Sequence, residues 1–139
     1  MPINEVFVDT SALLAVVSRA DALHRTAVLL NKELSAARTP LITSDWVLAE
    51  FLSGASRSPL RAGATQMVAA LRSSSRITVV EATRKEWERV FAFYAAHSDK
   101  DWSFVDCSSM LICQDRGIRR VFTHDRHFLQ FGLEVLLKT

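Results

Sequence analysis

Short runs of β-branched and aromatic residues alternate with longer segments of helical periodicity along this 139-residue chain. The runs at 6–8, 41–43, 77–80 and 120–123 predict strands, and a last strand is predicted near 133–136. One or two predicted helices separate each of the first four strands from the next. Because such a helix returns the chain to the edge where the previous strand began, the strands run in the same direction. The pattern predicts an α/β fold with a parallel sheet.

Composition and length favour a folded chain without a membrane segment. Apolar residues make up 49% of the sequence and charged residues 23%, which suits a packed core and not a disordered chain. The length is that of one domain, residues 1–139. The longest apolar run, 12–17, is far shorter than the roughly 20 residues that cross a bilayer. With no basic segment at the N-terminus, we expect a cytoplasmic protein with reduced cysteines.

Acidic residues recur near the points where the predicted strands end. Asp9 directly follows the first strand, and Asp125 lies two residues beyond the fourth. Glu50 lies in the second turn of the helix after the second strand, and Asp101 and Asp106 flank the start of the helix before the fourth. Since parallel α/β sheets place functional groups at the carboxyl ends of their strands, these acids are candidate site residues.

Four of these acids also have ordinary structural explanations. Asp9 suits the N-cap of the first helix, and Asp106 forms the pattern of a capping box with Ser103. Asp125 suits a turn, and Asp101 is explained as a solvated loop residue. None of the four, taken singly, requires a function.

Glu50 is harder to explain, because its helix is apolar almost all round and is predicted to be buried. A buried carboxylate costs several kcal/mol unless it is paired or bound to a cation, and no Lys or Arg lies within four positions. If Glu50 shares a cleft with Asp9, Asp106 and Asp125, a divalent cation relieves their repulsion. Carboxylate ligands without paired cysteine or histidine favour Mg²⁺ or Mn²⁺.

Other chemistries find little support in the sequence. It contains neither the Gly-x-x-x-x-Gly-Lys loop nor Gly-x-Gly-x-x-Gly after a strand, and it contains no Gly-x-Ser-x-Gly elbow. His124 and His127, three apart in a predicted turn, are weak grounds for zinc, so we expect them to face solvent or RNA. Helical spacing on the fifth helix predicts core packing rather than base stacking for its larger residues. These residues are Trp87, Val90, Phe91 and Tyr94.

The acids occur in four motifs. They are Val-Asp9-Thr10-Ser11-Ala-Leu-Leu, Thr-Ser-Asp-Trp-Val-Leu-Ala-Glu50-Phe, Asp101-Trp-Ser-Phe-Val-Asp106-Cys and Thr123-His-Asp125-Arg-His-Phe. In this order and spacing the motifs resemble the PIN-domain family, and more narrowly its VapC-type toxin branch, over the whole chain.

The resemblance implies a PIN-like three-layer α/β/α sandwich around a short parallel sheet. It also implies a Mg²⁺- or Mn²⁺-dependent endoribonuclease that is the toxin of a VapBC-like toxin–antitoxin system. The family's catalytic acids fall on Asp9, Glu50, Asp106 and Asp125, of which Asp9 and Asp106 are the expected direct metal ligands. Auxiliary roles fall on Asp101, Thr10, Ser11 and Thr123, the hydroxyls by orienting carboxylates or water.

An acidic cleft would lie within a basic surface. If five of the 15 acids line the cleft, the 17 lysines and arginines outweigh the remainder, as binding to the RNA backbone requires. The resemblance further implies a cognate VapB-like antitoxin and a homodimer. The candidate RNA contacts are Arg126, Arg116, Arg119 and Arg120.

Three alternative functions stay open at this point. A non-catalytic PIN-fold module would bind RNA or a partner protein, and its RNA binding would be indifferent to the four acids. A nuclease acting on DNA or flap structures is disfavoured by the lack of an added domain. A receiver-like phosphotransfer module fits less well, because its phosphoacceptor follows a later strand.

Overall fold

The structure is a computed structural model that describes residues 4–138, and this part of the chain forms five strands and seven helices. The strands are β1 (Val6–Val8), β2 (Leu41–Ser44), β3 (Ile77–Val80), β4 (Arg120–Phe122) and β5 (Glu134–Val135). The helices are α1 (Thr10–Val17), α2 (His24–Ala36), α3 (Asp45–Gly54), α4 (Leu60–Ser73), α5 (Arg84–Ala96), α6 (Phe104–Arg116) and α7 (His127–Gln130).

All five strands are parallel and lie in the order β3-β2-β1-β4-β5. Phe7 in the central strand is paired with Ile42 of β2 on one side and with Val121 of β4 on the other. The chain moves outward from β1 to β3 and then returns to β4, so the winding direction reverses between β1 and β4. A parallel sheet opens a crevice at the carboxyl ends of two such strands.

Helices cover the sheet and form the outer layers of the predicted α/β/α sandwich. Helix α1 packs against α2, α3 and α4, and α6 packs against α5 and α7. The central strand is buried, with Val6, Phe7 and Val8 each at most 5% exposed. The predicted three-layer arrangement around a short parallel sheet is confirmed. Among the described helices, none combines the length and the hydropathy needed to cross a membrane.

Local capping signals fix several helix ends where the sequence predicts them. The Ser44 hydroxyl accepts the N–H of Val47 at 3.2 Å and begins α3. Ser103 begins α6 with a complete capping box. Gly117 follows α6 with a φ of 69°, a conformation that favours glycine because it has no Cβ.

Two burial predictions are wrong in part. On α5, Val90 is buried as predicted, but Trp87, Phe91 and Tyr94 are between 42% and 50% exposed. Helix α3 buries one face and exposes another, where Leu52 is 39% exposed. Helical periodicity identifies residues that share a face, but it does not show which neighbouring element covers that face.

Candidate active site

Asp9 lies at the carboxyl end of β1 and is 3% exposed. It occupies the N-cap position of α1, yet its side chain makes no capping hydrogen bond. Its Oδ2 instead accepts a 2.8 Å hydrogen bond from the Thr123 hydroxyl, and the Ser11 hydroxyl oxygen lies 3.4 Å away. The ordinary N-cap explanation therefore does not account for this carboxylate.

Two hydroxyl groups connect the loop after β4 to β1. The hydroxyls of Ser11 and Thr123 lie 2.8 Å apart, and since Thr123 donates to Asp9, Ser11 is the donor between them. Ser11 accepts the backbone N–H of His124 at 3.1 Å, and Thr123 accepts that of Asp125 at 3.0 Å. These bonds hold Asp9 and the backbone of Asp125 at the same edge of the sheet.

Asp106 lies in the first turn of α6 and is 7% exposed. Its Oδ2 accepts the backbone N–H of Ser103 at 3.0 Å, and the Ser103 hydroxyl accepts the N–H of Asp106 at the same distance. The predicted capping box is present. It engages one carboxylate oxygen of Asp106 and leaves Oδ1 for another partner.

Asp106, Asp125 and His127 form a compact group in which one ligand atom from each lies within 4.8 Å of the others. The Nδ1 atom of His127 is 3.0 Å from Oδ1 of Asp125 and 3.6 Å from Oδ2 of Asp106. The backbone N–H of His127 also donates to Oδ1 of Asp125 at 2.9 Å. An imidazole nitrogen and two carboxylates thus face one small volume.

Glu50 lies in the second turn of α3 and is half-buried, because the adjoining face of α3 is exposed. The expected cost of full burial therefore does not arise for this side chain. Glu50 nevertheless contributes to the site, since its charge raises the pKa of Asp9.

The electrostatics connect all four acids of the predicted quartet. Burial is the largest cause that raises the pKa of Asp9 to about 6, and the charges of Asp106 and Glu50 add to it, against the lowering effect of the Thr123 hydrogen bond. Burial and the charge of Asp125 raise the pKa of Asp106, which Ser103 and His127 partly offset. Repulsion of this kind favours a bound cation.

Two of the predicted auxiliary residues, Asp101 and Thr10, have different surroundings. Asp101 is exposed in the loop before α6 and lines a separate depression with Lys100 and Trp102. Thr10 is buried beside Asp9, and its hydroxyl has no hydrogen-bond partner among the described residues.

The four candidate arginines divide into two groups. Arg126 is exposed next to Asp125 and lines a groove with His124 and Lys138. The other three lie at the last residue of α6, in the turn after it and at the start of β4, at the opposite edge of the sheet from Asp125. One of them pairs with Glu5 at 4.0 Å, and another donates to Asn4 at 2.7 Å. These three are Arg116, Arg119 and Arg120.

His127 is the site residue that the sequence did not single out. Its spacing of three residues from His124 gives only weak grounds for a zinc pair, and the turn does not indicate that only one of the two histidines faces the acids. The available signal was the spacing from Asp125, since an aspartate accepts the N–H two residues later in an Asx turn. Such a turn carries the side chain of residue 127 back toward the carboxylate.

Comparison with known proteins identifies a family, a relative of similar sequence and solved structures of similar fold. The sequence model described as "PIN domain" matches residues 6–133. The chain is 32% identical over 130 residues to the 23S rRNA-specific endonuclease VapC20 of Mycobacterium tuberculosis, covering 91% of this chain and 94% of that protein. The crystal structure of M. tuberculosis VapC20, described as a sarcin-ricin loop cleaving toxin, matches with a TM-score of 0.81 at 30% identity and covers 94% and 98% of the two chains. FitAcB from Neisseria gonorrhoeae matches in fold alone, with a TM-score of 0.61 at 14% identity over 94% and 96%.

Proposed function

The chain belongs to the PIN domain family, and we propose that it is an endoribonuclease that hydrolyses RNA phosphodiester bonds with a divalent cation. The observation that carries the proposal is the grouping of acids from separate elements at one edge of the sheet. Asp106 and Asp125 belong to one group of possible ligand atoms, and the charges of Asp106 and Glu50 act on the buried Asp9. A module that only binds RNA has no use for such a cluster, since RNA is itself an anion.

The residues of the cleft fit a divalent cation on two grounds. The pKa values of Asp9 and Asp106 are raised, partly by neighbouring carboxylates, and a cation removes that repulsion. The buried Nδ1 of His127 lacks a hydrogen-bond partner within residues 4–138. Asp9 and Asp106 stay the predicted direct ligands, with Asp125 and Glu50 completing the set, and Mg²⁺ or Mn²⁺ suits their oxygens.

The chain's own contribution to catalysis is to hold the carboxylates in place before RNA arrives. The cation, when bound, supplies activation of the attacking water and neutralisation of charge on the phosphoryl oxygens. Thr123 fixes one oxygen of Asp9, and the Ser103 N–H fixes one oxygen of Asp106. These bonds remove conformational freedom that binding would otherwise cost.

The relative VapC20 is named as specific for 23S rRNA. We extend the proposal to a structured loop of ribosomal RNA as the substrate, cleaved in the cytoplasm. A groove of about 260 Å³ lies beside Asp125 and is lined by His124, Arg126 and Lys138, among others. Positive side chains next to an acidic cleft suit a phosphate backbone whose scissile bond lies over the acids. Arg126 is therefore better placed for RNA contact than the three arginines at the opposite edge.

Cleavage of intact ribosomes and of purified total RNA tests the proposal. The wild-type chain, Asp9→Asn and Asp99→Asn are each incubated with Mg²⁺, Mn²⁺ or EDTA, and fragment ends are mapped by sequencing. We expect discrete cuts by the wild type and by Asp99→Asn, and none by Asp9→Asn or with EDTA. Asp99→Asn is the matched control, because the side chain of this aspartate is 72% exposed and has no assigned role in the site.

Two results contradict the proposal. Equal cleavage by a folded Asp9→Asn chain removes the acid cluster from the chemistry. RNA binding that is equal in wild type and Asp9→Asn, with no cleavage under any condition, favours a non-catalytic PIN-fold binding module.

We also propose a VapB-like antitoxin partner and a homodimer, as the VapC-type resemblance implies. The exposed aromatic face of α5 is the surface that suits the second copy. Trp87 stacks on Phe91 with ring centroids 5.3 Å apart, and Tyr94 lies 5.8 Å from Phe104. Exposed charges of both signs flank these rings on α5. A two-fold interface places one patch against its own copy, so mixed charge is complementary there.

A further inference from the structure

The Nδ1 atom of His127 is buried and makes no hydrogen bond to any part of the chain that the structure describes. The side chain as a whole is 37% exposed, so it is this nitrogen, not the whole ring, that is withdrawn from solvent. It lies 3.0 Å from Oδ1 of Asp125 and 3.6 Å from Oδ2 of Asp106. A buried nitrogen this close to two carboxylates calls for an explanation.

The backbone that carries the ring is fixed on both sides. The backbone N–H of His127 donates to Oδ1 of Asp125 at 2.9 Å, and the next residue, Phe128, is fully buried. Asp106 is fixed by the Ser103 N–H at 3.0 Å. The backbone of His127 and the carboxylates of Asp125 and Asp106 are therefore positioned by bonds that need no ligand.

An ion pair between a protonated ring and the carboxylates is the simplest alternative. Nδ1 lies within ion-pair distance of both carboxylates, and the charge of a protonated ring lowers the pKa of Asp106. The ring orientation, however, does not aim an N–H on Nδ1 at either oxygen as a hydrogen bond requires. In the tautomer that carries its proton on Nε2, Nδ1 presents a lone pair to the same volume as the two carboxylates. With Nδ1 only 3.0 Å from Oδ1 of Asp125, both atoms could bind the same ion.

We infer that His127 is a ligand of the divalent cation, together with Asp106 and Asp125, and that its nitrogen biases the site toward a first-row transition ion over Mg²⁺. The inference rests on the proposed function for the presence of a cation. Mg²⁺ is bound by oxygen ligands, whereas imidazole suits transition ions, and mixed carboxylate–histidine sets hold iron and manganese. The all-oxygen set expected from the sequence thus gains one nitrogen.

Mn²⁺ binding to the metal-free full-length chain tests this inference without RNA. Electron paramagnetic resonance of free Mn²⁺ gives the dissociation constant, competition by Mg²⁺ gives the selectivity, and electron spin echo modulation detects a coordinated ¹⁴N nucleus. His127→Asn removes the ligand, and His124→Asn is the matched control because His124 is exposed and outside the group.

We expect ¹⁴N modulation from Mn²⁺ in the wild type and in His124→Asn, and none in His127→Asn. The Mn²⁺ affinity of His127→Asn falls at least about tenfold, while its Mg²⁺ affinity changes little. Labelling histidine with ¹⁵N in the wild-type chain alters the modulation and gives the same answer without a substitution.

The inference is overturned if Mn²⁺ does not bind, if it binds without nitrogen coupling, or if the coupling persists in His127→Asn. These outcomes are separate from the fate of the proposed function. A chain that binds Mn²⁺ through nitrogen but cuts no RNA supports the ligand and contradicts the endoribonuclease. A chain that cuts RNA but shows no nitrogen coupling to Mn²⁺ supports the endoribonuclease and contradicts the histidine ligand.

Discussion

The hydroxyl of Thr123 donates a 2.8 Å hydrogen bond to Oδ2 of Asp9 and so joins the carboxyl ends of β4 and β1. The same hydroxyl accepts the backbone N–H of Asp125 at 3.0 Å. The bond to Asp9 lowers the pKa of that carboxyl, against the larger raising effect of burial. One side chain therefore bonds to both Asp9 and the backbone of Asp125 and favours the ionised form of Asp9.

Replacement of Thr123 by valine keeps the shape of the side chain and removes the hydroxyl. We expect the pKa of Asp9 to rise above about 6 and the free energy of unfolding at neutral pH to fall by roughly 1–3 kcal/mol, since Asp9, Ser11 and the N–H of Asp125 all lose a partner. Urea unfolding and a ¹³C NMR titration of the Asp9 carboxyl measure the two effects. Thr123→Ser restores the hydroxyl and should restore both, and an unchanged Asp9 titration in Thr123→Val would contradict the assignment.

The raised pKa of Asp9 makes the stability of the metal-free protein depend on pH. Its carboxyl ionises near 3.8 in the unfolded chain and near about 6 in the folded one. Between these values only the folded state keeps the proton, so stability falls as pH rises from about 4 to 6 and levels off above. The total loss is on the order of 3 kcal/mol.

Asp9→Asn removes this contribution, so we expect the variant to be more stable than the wild type above pH 6 in EDTA and about equal to it below pH 4. Urea unfolding across this range gives the difference between the two proteins. Asp101→Asn is the control and should follow the wild type. If the stability difference between Asp9→Asn and the wild type grows toward low pH instead, the explanation by a raised pKa of Asp9 is contradicted.

The sequence predicts those parts of the fold that depend on local signals. The apolar run of β1, the Ser44 and Ser103 caps and the glycine after α6 each act within a few residues, and each is where the sequence placed it. The order of the acids along a βα pattern was sufficient to bring Asp9 and Asp125 to one edge, because parallel strands end together.

The parts that the sequence did not predict depend on contacts between distant segments. The exposure of Trp87 depends on whether another element covers that side of α5. The partial burial of Glu50 depends on the open face of α3. The short helix α7, which turns His127 toward Asp106, follows from an aspartate turn and the burial of Phe128.

Asp106 combines a structural and a proposed catalytic role, and two substitutions separate them. Ser103→Ala removes the hydroxyl that caps α6 and should cost about 1 kcal/mol of stability with RNA cleavage retained. Asp106→Asn keeps an oxygen for the Ser103 N–H and should abolish cleavage with little loss of stability. Thermal unfolding and the ribosome cleavage assay are read together on both proteins. If both variants lose cleavage in proportion to their loss of stability, only the capping role of Asp106 is supported.

The aromatic face of α5 gives a prediction about assembly. Trp87→Glu places a charge where an apolar ring is proposed to meet its copy, so we expect dimerisation to weaken by at least about 30-fold, the loss typical of a buried interface tryptophan. Sedimentation equilibrium over a range of concentrations measures the dissociation constant, and circular dichroism checks the fold.

Leu29→Glu is the control for this prediction, since Leu29 is 55% exposed on α2, outside the α5 face. The two variants carry the same new charge at exposed apolar positions, so a general effect of charge weakens both equally. A selective effect of Trp87→Glu locates the interface on α5. A dimer that survives Trp87→Glu unchanged, or a wild-type chain that is monomeric throughout, removes α5 as the contact surface.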